Sequence, residues 1–223
     1  MGRKVLVLIS VLGTGFYQDC LYAGQNSQTK TNFIQVATLN EIGAKNWACE
    51  DAVYILVTEK ARKVNWHIEN GTRLNNKNEL VTYLGLDKCI QDLSLRCKVE
   101  AVDIKDGMTQ NEKWDIFNQV YQLLEAGDEL YFDFTHGFRY LPMFVLVFGN
   151  YAKYLKKITI AHMSYGNFEM QGATKQIMDL RPLASLQDWT SSAVSFCEMG
   201  RIQSLTNTMK EDAKTNKTLY ALN

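Results

Sequence analysis

The chain has 223 residues, 46% of them hydrophobic, which is enough for one large domain with a true core and excludes a disordered or fibrous polymer. Lysine plus arginine and aspartate plus glutamate both total 24, so no global positive field gathers long nucleic acid, and an anionic ligand must be held by a local site. Five cysteines (Cys20, Cys49, Cys89, Cys97, Cys197) without C-x-x-C spacing, and only three histidines, point to reduced thiols in a cytoplasmic protein and away from a structural metal.

Arg3-Lys4 before the apolar run Val5 to Leu12 has the outline of a signal peptide, but no small-x-small cleavage site follows. The run is also far shorter than the ~20 residues of a membrane helix. A buried first strand explains it, with Gly13-Thr14-Gly15 as its exit turn. Residues 16–31 have room for a small hairpin. Asn32 to Ile42 has helical spacing at Phe33, Val36, Ala37 and Asn40, with Gly43 suited to the stop. Ala52 to Val57 predicts a second buried strand that exits at Thr58. Residues 65–80 are polar and asparagine-rich, predicting a surface excursion in which Asn65-Trp66 places an exposed indole, available to stack or to dimerise.

A helix near Asn78 to Leu95 leads to a third strand, Lys98 to Ile104, and the turn Asp106-Gly107. Thr109 to Glu112 reads as a capping box, opening a helix that buries Trp114, Phe117, Val120, Tyr121 and Leu124 and stops at Gly127. Glu129 to Phe134 is a fourth strand. Pro142 suits the first turn of the next helix, which runs to about Lys156 and is apolar nearly all round, so it should be well buried. Ile158 to Met163 is a fifth strand, followed by Ser164-Tyr165-Gly166. Alternating strands and helices predict an α/β fold, a Rossmann-like and mainly parallel sheet with flanking helices. The organisation expected is one domain over 1–181 and a C-terminal helical connector or dimerisation tail over 182–223.

Ligands of such sheets bind beyond the carboxyl ends of the strands. Ser10, Leu12, Gly13, Thr14, Gly15, Thr58, the segment Thr135-His136-Gly137-Phe138-Arg139, Tyr165 and Gly166 would converge there. Gly13-Thr14-Gly15 is neither a dinucleotide fingerprint, since Gln18 replaces the third glycine, nor a phosphate-binding loop with Gly-Lys-Ser/Thr. It is either a tight turn that needs positive φ or a phosphate cradle. Arg139, near a helix N-terminus, is badly placed for the helix dipole and pairs either with an anion or with a neighbouring carboxylate. Asp133 fits a buried role holding the loop. His136 orients a backbone or ligand group. No second acid or base stands beside it, so spacing alone assigns no catalytic residue.

These residues, with Phe132-Asp133-Phe134-Thr135-His136-Gly137-Phe138-Arg139-Tyr140-Leu141-Pro142 foremost, resemble the CARF domains of type III CRISPR ancillary proteins, in particular those whose fourth strand exits as Asp-x-Thr-His-x-Phe-Arg-x-x-Pro. The likeness also takes in Leu8 to Gly15, Val57 to Ala61, Asn65-Trp66 and Asp106-Gly107, and spans roughly Lys4 to Met170. It implies a homodimer whose two rims form one pocket for a cyclic oligoadenylate, cyclic tetra-adenylate or hexa-adenylate, with no cofactor and no metal. By position, Ser10, Gly13, Thr14 and Gly15 would line phosphates and riboses. Thr58 would form the wall, and Thr135, His136, Gly137 and Arg139 would hold phosphates. Tyr165 and Gly166 would close the adenine side. It also implies an attached effector, and no nuclease or deaminase constellation follows Arg181. Two other readings stand beside this sensor: a metal-independent ring nuclease acting on the same ligand, and an unrelated Rossmann enzyme using a dinucleotide.

Overall fold

A computed structural model describes residues 5–68, 70–136, 141–167, 172 and 174–215. In chain order the elements are β1 (Leu6–Leu12), β2 (Cys20–Ala23), β3 (Gln28–Thr31), α1 (Ile34–Glu41), β4 (Ala52–Val57), α2 (Glu59–Ala61), β5 (Thr72–Leu74), β6 (Leu80–Thr82), α3 (Leu86–Gln91), β7 (Lys98–Asp103), α4 (Gln110–Gln122), β8 (Glu129–Asp133), α5 (Leu141–Lys156), β9 (Thr159–Gly166), β10 (Thr174–Asp179), α6 (Arg181–Met199) and α7 (Ile202–Thr215). The principal sheet has eight strands in the order β3-β2-β10-β9-β8-β1-β4-β7. β7, β4, β1, β8 and β9 run parallel. This is the Rossmann-like α/β architecture the sequence predicts.

β1 lies at the centre because it can be covered on both faces: Val7 to Leu12 are all buried. Leu8 and Leu12 pack with Phe33, Val36 and Leu39 of the α1 region and with Val53, Ile55 and Val57 of β4. From β1 the chain builds outward through β4 to β7, then returns to lay β8 and β9 on the other side of β1. The direction of winding therefore reverses between β1 and β8, and that reversal opens a crevice at their carboxyl ends.

The anticipated small hairpin is β2–β3, and its turn is held by a buried carboxylate. Glu41 accepts from the amides of Gln25 (2.8 Å) and Asn26 (3.0 Å) and from the Ser27 hydroxyl (2.9 Å). The hairpin extends the far edge through β10, which is parallel to β2. β10 does not emerge from the sequence reading. The 167–173 connection from β9 is too short for a parallel crossover, so β10 doubles back beside β9.

Several expectations are corrected. The 65–80 segment is not a bare excursion: Arg62–Trp66 forms a single π turn with Asn65 buried, followed by the hairpin β5–β6. The expected helix from Asn78 shrinks to α3, because Asn78 turns the chain at φ 61° and Leu80–Thr82 pairs with β5. Ser164 to Gly166 belong to β9 itself. The capping box of α4 is present, and Val120 and Leu124 are buried as expected with Phe117 and Tyr121 half-buried; Ile116 joins the core instead of Trp114, which is 58% exposed. α5 is not buried all round. Phe148, Gly149 and Ala152 face inward, and a Cβ at Gly149 would stand 2.9 Å from Ile160 Cδ1, so that side chain would have to shift. Met143, Val147, Tyr151 and Tyr154 are exposed.

A second compact unit begins at Asp179. Arg181 forks onto Asp179 (2.6 and 3.0 Å), Pro182 occupies the first turn of α6, and Gly200 ends it at φ 64°. Ser192 and Thr208 share a 2.6 Å hydrogen bond between α6 and α7. Among the described residues no helix is long and apolar enough to cross a membrane.

Candidate functional site

At the winding reversal, Ser10 of β1 lies in register with Asp133 of β8, which lies in register with Ser164 of β9. All three are fully buried. The Ser10 hydroxyl donates to Asp133 Oδ2 at 2.6 Å. The Thr135 hydroxyl and amide donate to Oδ1 at 2.6 and 3.2 Å. Thr135 Oγ1 in turn accepts from the Gly166 amide at 2.8 Å. One carboxylate thus joins the carboxyl ends of three strands. Burial pushes its pKa above the usual carboxylate range, opposed by the hydroxyls of Ser10 and Thr135.

Above this layer sits the exit loop of β1. Gly13 and Gly15 do not have positive φ, so the tight-turn explanation fails. Close approach is the reason for Gly13: an added Cβ would collide with the Tyr17 hydroxyl and stand 3.1 Å from the His136 carbonyl oxygen. The exits of β1 and β8 are therefore in contact. The Tyr17 ring stacks on the His136 imidazole, centroids 4.1 Å apart. Burial holds His136 down to about 4, so the ring is neutral at physiological pH. Burial pushes the Tyr17 phenol well above its ordinary value.

The loop is gripped from behind. Asn65 Nδ2 donates to the carbonyls of Gly13 (2.8 Å) and Gly15 (2.9 Å). Arg73 donates to the carbonyls of Gly15 and Thr14, both at 3.0 Å, and to Asn65 Oδ1. Tyr83 donates to that same Oδ1 at 3.0 Å. The Arg73 guanidinium lies against the rings of Phe16 and Tyr83, 5.7 and 5.3 Å from their centroids.

The sequence-derived candidates sort into three groups. Gly13, Thr14, Gly15, Thr135 and His136 come together at the reversal, with Gly166 tied to Thr135 and Tyr165 half-buried beside Phe134. Ser10, Leu12, Thr58 and Asn65 are buried. Thr58 caps α2 by accepting from the Ala61 amide at 3.2 Å. Trp66 is half-buried against the core, where an exposed stacking ring was expected. Gly137, Phe138 and Arg139 lie outside the described residues. Tyr17, Arg73 and Tyr83 belong to the site and are absent from the sequence-derived set. Tyr17 was within reach as an aromatic just past the glycines, but nothing local to Arg73 or Tyr83 connects them to a loop some sixty residues earlier.

A neighbouring cleft of about 490 Å³ opens between the ends of β4 and β7 and α4. Its charged groups are ion-paired, Arg62 with Asp103 (2.6 Å), Lys105 with Asp115 (3.0 Å) and Glu59 with Lys63 (2.5 Å).

The profile of the CARF domain of the CRISPR-system endoribonuclease Csx1 matches residues 7–171. The chain belongs to this Csx1 CARF family. A curated relative, the CRISPR-associated protein MJ1674 of Methanocaldococcus jannaschii, is 26% identical over 124 residues, 53% of this chain. The match spans only 19% of that relative's length. The region matched to the CARF profile contains every strand end that builds the rim.

In this CARF domain Asp133→Asn turns an amide donor toward hydroxyl donors, and thermal unfolding should show a loss of about 1–3 kcal/mol. Ser10→Ala should cost less, because the carboxylate keeps both Thr135 donors. His136 supplies a second expectation. Its folded value, about 4, lies below the unfolded 6.5, so the unfolded chain binds the extra proton between them. The stability it contributes is complete above pH 6.5 and is lost as pH falls towards 4. Urea midpoints taken across that range should show a shallower pH dependence in His136→Phe, which keeps the stack on Tyr17 but cannot titrate.

Proposed function

We propose that this CARF domain is the sensor part of a type III CRISPR effector, and that two copies bind one cyclic oligoadenylate across their joined rims. What carries the reading is the family assignment together with the meeting of the Gly13–Gly15 loop and the Thr135–His136 loop at the reversal of the sheet. Both are exit loops at the point where open α/β sheets hold their ligands. Gly13, Thr14 and Gly15 supply backbone groups and a hydroxyl for phosphates and riboses. His136, neutral and stacked, lines the ring, and Tyr165 supplies an aromatic wall. Ser10, Asp133 and Asn65 hold these parts from below. Thr135, Gly137 and Arg139 complete the phosphate contacts in the proposal, with Phe138 among the residues lining the ligand. A two-fold arrangement doubles every such group, which lets a chain of zero net charge hold a ring of four or six phosphates.

The exposed stripe of α5 fits the second copy. Met143, Val147, Tyr151 and Tyr154 recur at helical spacing on one face, and Tyr151 continues through Phe117 to the exposed Trp114 of α4. α5 follows directly from the β8 exit loop, so pairing along it would bring two ligand loops together.

Calorimetric titration with cyclic tri-, tetra- and hexa-adenylate, against linear tetra-adenylate, tests the sensor reading. Saturation by one ring per two chains is expected, and no heat with any ring rejects the reading. Linear products formed without metal in the same mixture would make the domain a ring nuclease as well; saturation by a dinucleotide alone would favour the Rossmann-enzyme alternative. Arg139→Ala should weaken binding by about 1.5–3 kcal/mol, the scale of a charge-assisted hydrogen bond. Val147→Glu should convert dimer to monomer by light scattering without lowering the unfolding temperature; an unchanged mass would place the dimer contact elsewhere.

A further inference from the structure

Three successive carbonyls, those of Gly13, Thr14 and Gly15, turn toward the same side of the β1 exit loop, where Asn65 and Arg73 collect them. In a trans peptide the C=O and the following N–H point in opposite directions. The amides of Thr14, Gly15 and Phe16 therefore face away from Arg73. Successive N–H groups on one side of a turn make an anion-binding concavity. An oxygen already stands at this loop: the Tyr17 hydroxyl lies close enough to Gly13 that a Cβ there would strike it.

Arg73 is unusual in how its charge is spent. Among the described residues, all its hydrogen bonds go to carbonyl or amide oxygens and no carboxylate pairs with it. The planar fork spans two carbonyls and the Asn65 side chain at once, and the faces of Phe16 and Tyr83 fix its plane. Lysine, a compact point donor on a flexible stem, cannot reproduce that geometry. Asn65 has no spare capacity either, since both amide hydrogens and the carbonyl oxygen are engaged.

We propose that Arg73 is the positioning residue of the phosphate subsite, holding the Gly13–Gly15 carbonyls so that the loop's amides face the ligand, without itself touching that ligand. This rests on the reading of the rim as a cyclic oligoadenylate site. The structure assigns Arg73 to the loop's carbonyl side, and the phosphate oxygens take the amide side.

The test compares wild type, Arg73→Lys and Arg73→Met in two measurements. The first is affinity for cyclic tetra-adenylate and cyclic hexa-adenylate across a salt series. Both variants should lose roughly 10- to 100-fold, the usual effect of removing a group that orients direct contacts. Lysine should not rescue, and the salt dependence should keep the wild-type slope. Wild-type affinity in the methionine variant, or recovery with lysine, overturns the proposal. A slope shallower by about one ion contact would make Arg73 a direct phosphate ligand and also overturns it. The second measurement is amide hydrogen exchange of residues 14–16 without ligand, which should speed up at least about tenfold in the methionine variant relative to amides of β4 in the same sample. Unchanged exchange overturns the ordering role. Wild type that binds neither ring rejects the sensor reading alone, and the exchange result then decides Arg73 independently. Should the methionine variant unfold, Arg73→Gln takes its place in both measurements.

Discussion

The site depends on one buried carboxylate. Asp133 lies at the end of β8, fully enclosed, where an unpartnered charge would cost several kcal/mol. Ser10 and Thr135 offset that cost with three donors, and the same bonds join β1 to β8 and, through Thr135, to Gly166 of β9. Strands in a parallel sheet are held along their length by the backbone ladder, but their exit loops are not. Side-chain bonds at the strand ends must fix the loops, and here a single residue serves three of them. The position of His136 and the close approach of Gly13 to it both follow from where Asp133 sets the start of the β8 exit.

Above that layer the work is divided between groups that face the rim and groups that hold them. The β1 exit loop has no regular hydrogen-bond ladder, so its carbonyls need partners from elsewhere. A π turn supplies Asn65 and a short hairpin supplies Arg73. Both elements are small insertions between β4 and α3, and their visible contribution is to the neighbouring loop. Bonds of this kind fix the loop's conformation in advance, which is the arrangement that lowers the ordering cost of any binding there.

The exposed apolar stripe of α5 lies within the region matched to the CARF family, immediately after the β8 exit. The β8 exit loop runs directly into α5, so any partner that covers Met143, Val147 and Tyr154 is brought close to the loop that follows Asp133.

How much was legible in the sequence follows from the range of the interactions involved. The buried runs at Leu6–Leu12 and Ala52–Val57, the Thr109–Glu112 capping box and the alternation of strand and helix are local patterns, and they determined the Rossmann-like class and the strand-end location of the site. The Asp133–Thr135–His136 segment was readable because a carboxylate, a hydroxyl and an imidazole at a strand exit are adjacent in the chain. The roles of Asn65, Arg73 and Tyr83 were not, because they act on Gly13–Gly15 across a gap that only folding closes. Tertiary structure also decided which stripe of α4 is core, left one face of α5 open, and placed β10 between β9 and β2. In each case periodicity specifies that a face is apolar, while the neighbour that covers it is set by packing. The sequence determined the fold class and pointed to the strand ends; the fold decided which side chains hold the loops there, because hydrogen bonds between distant segments exist only once the sheet has brought them together.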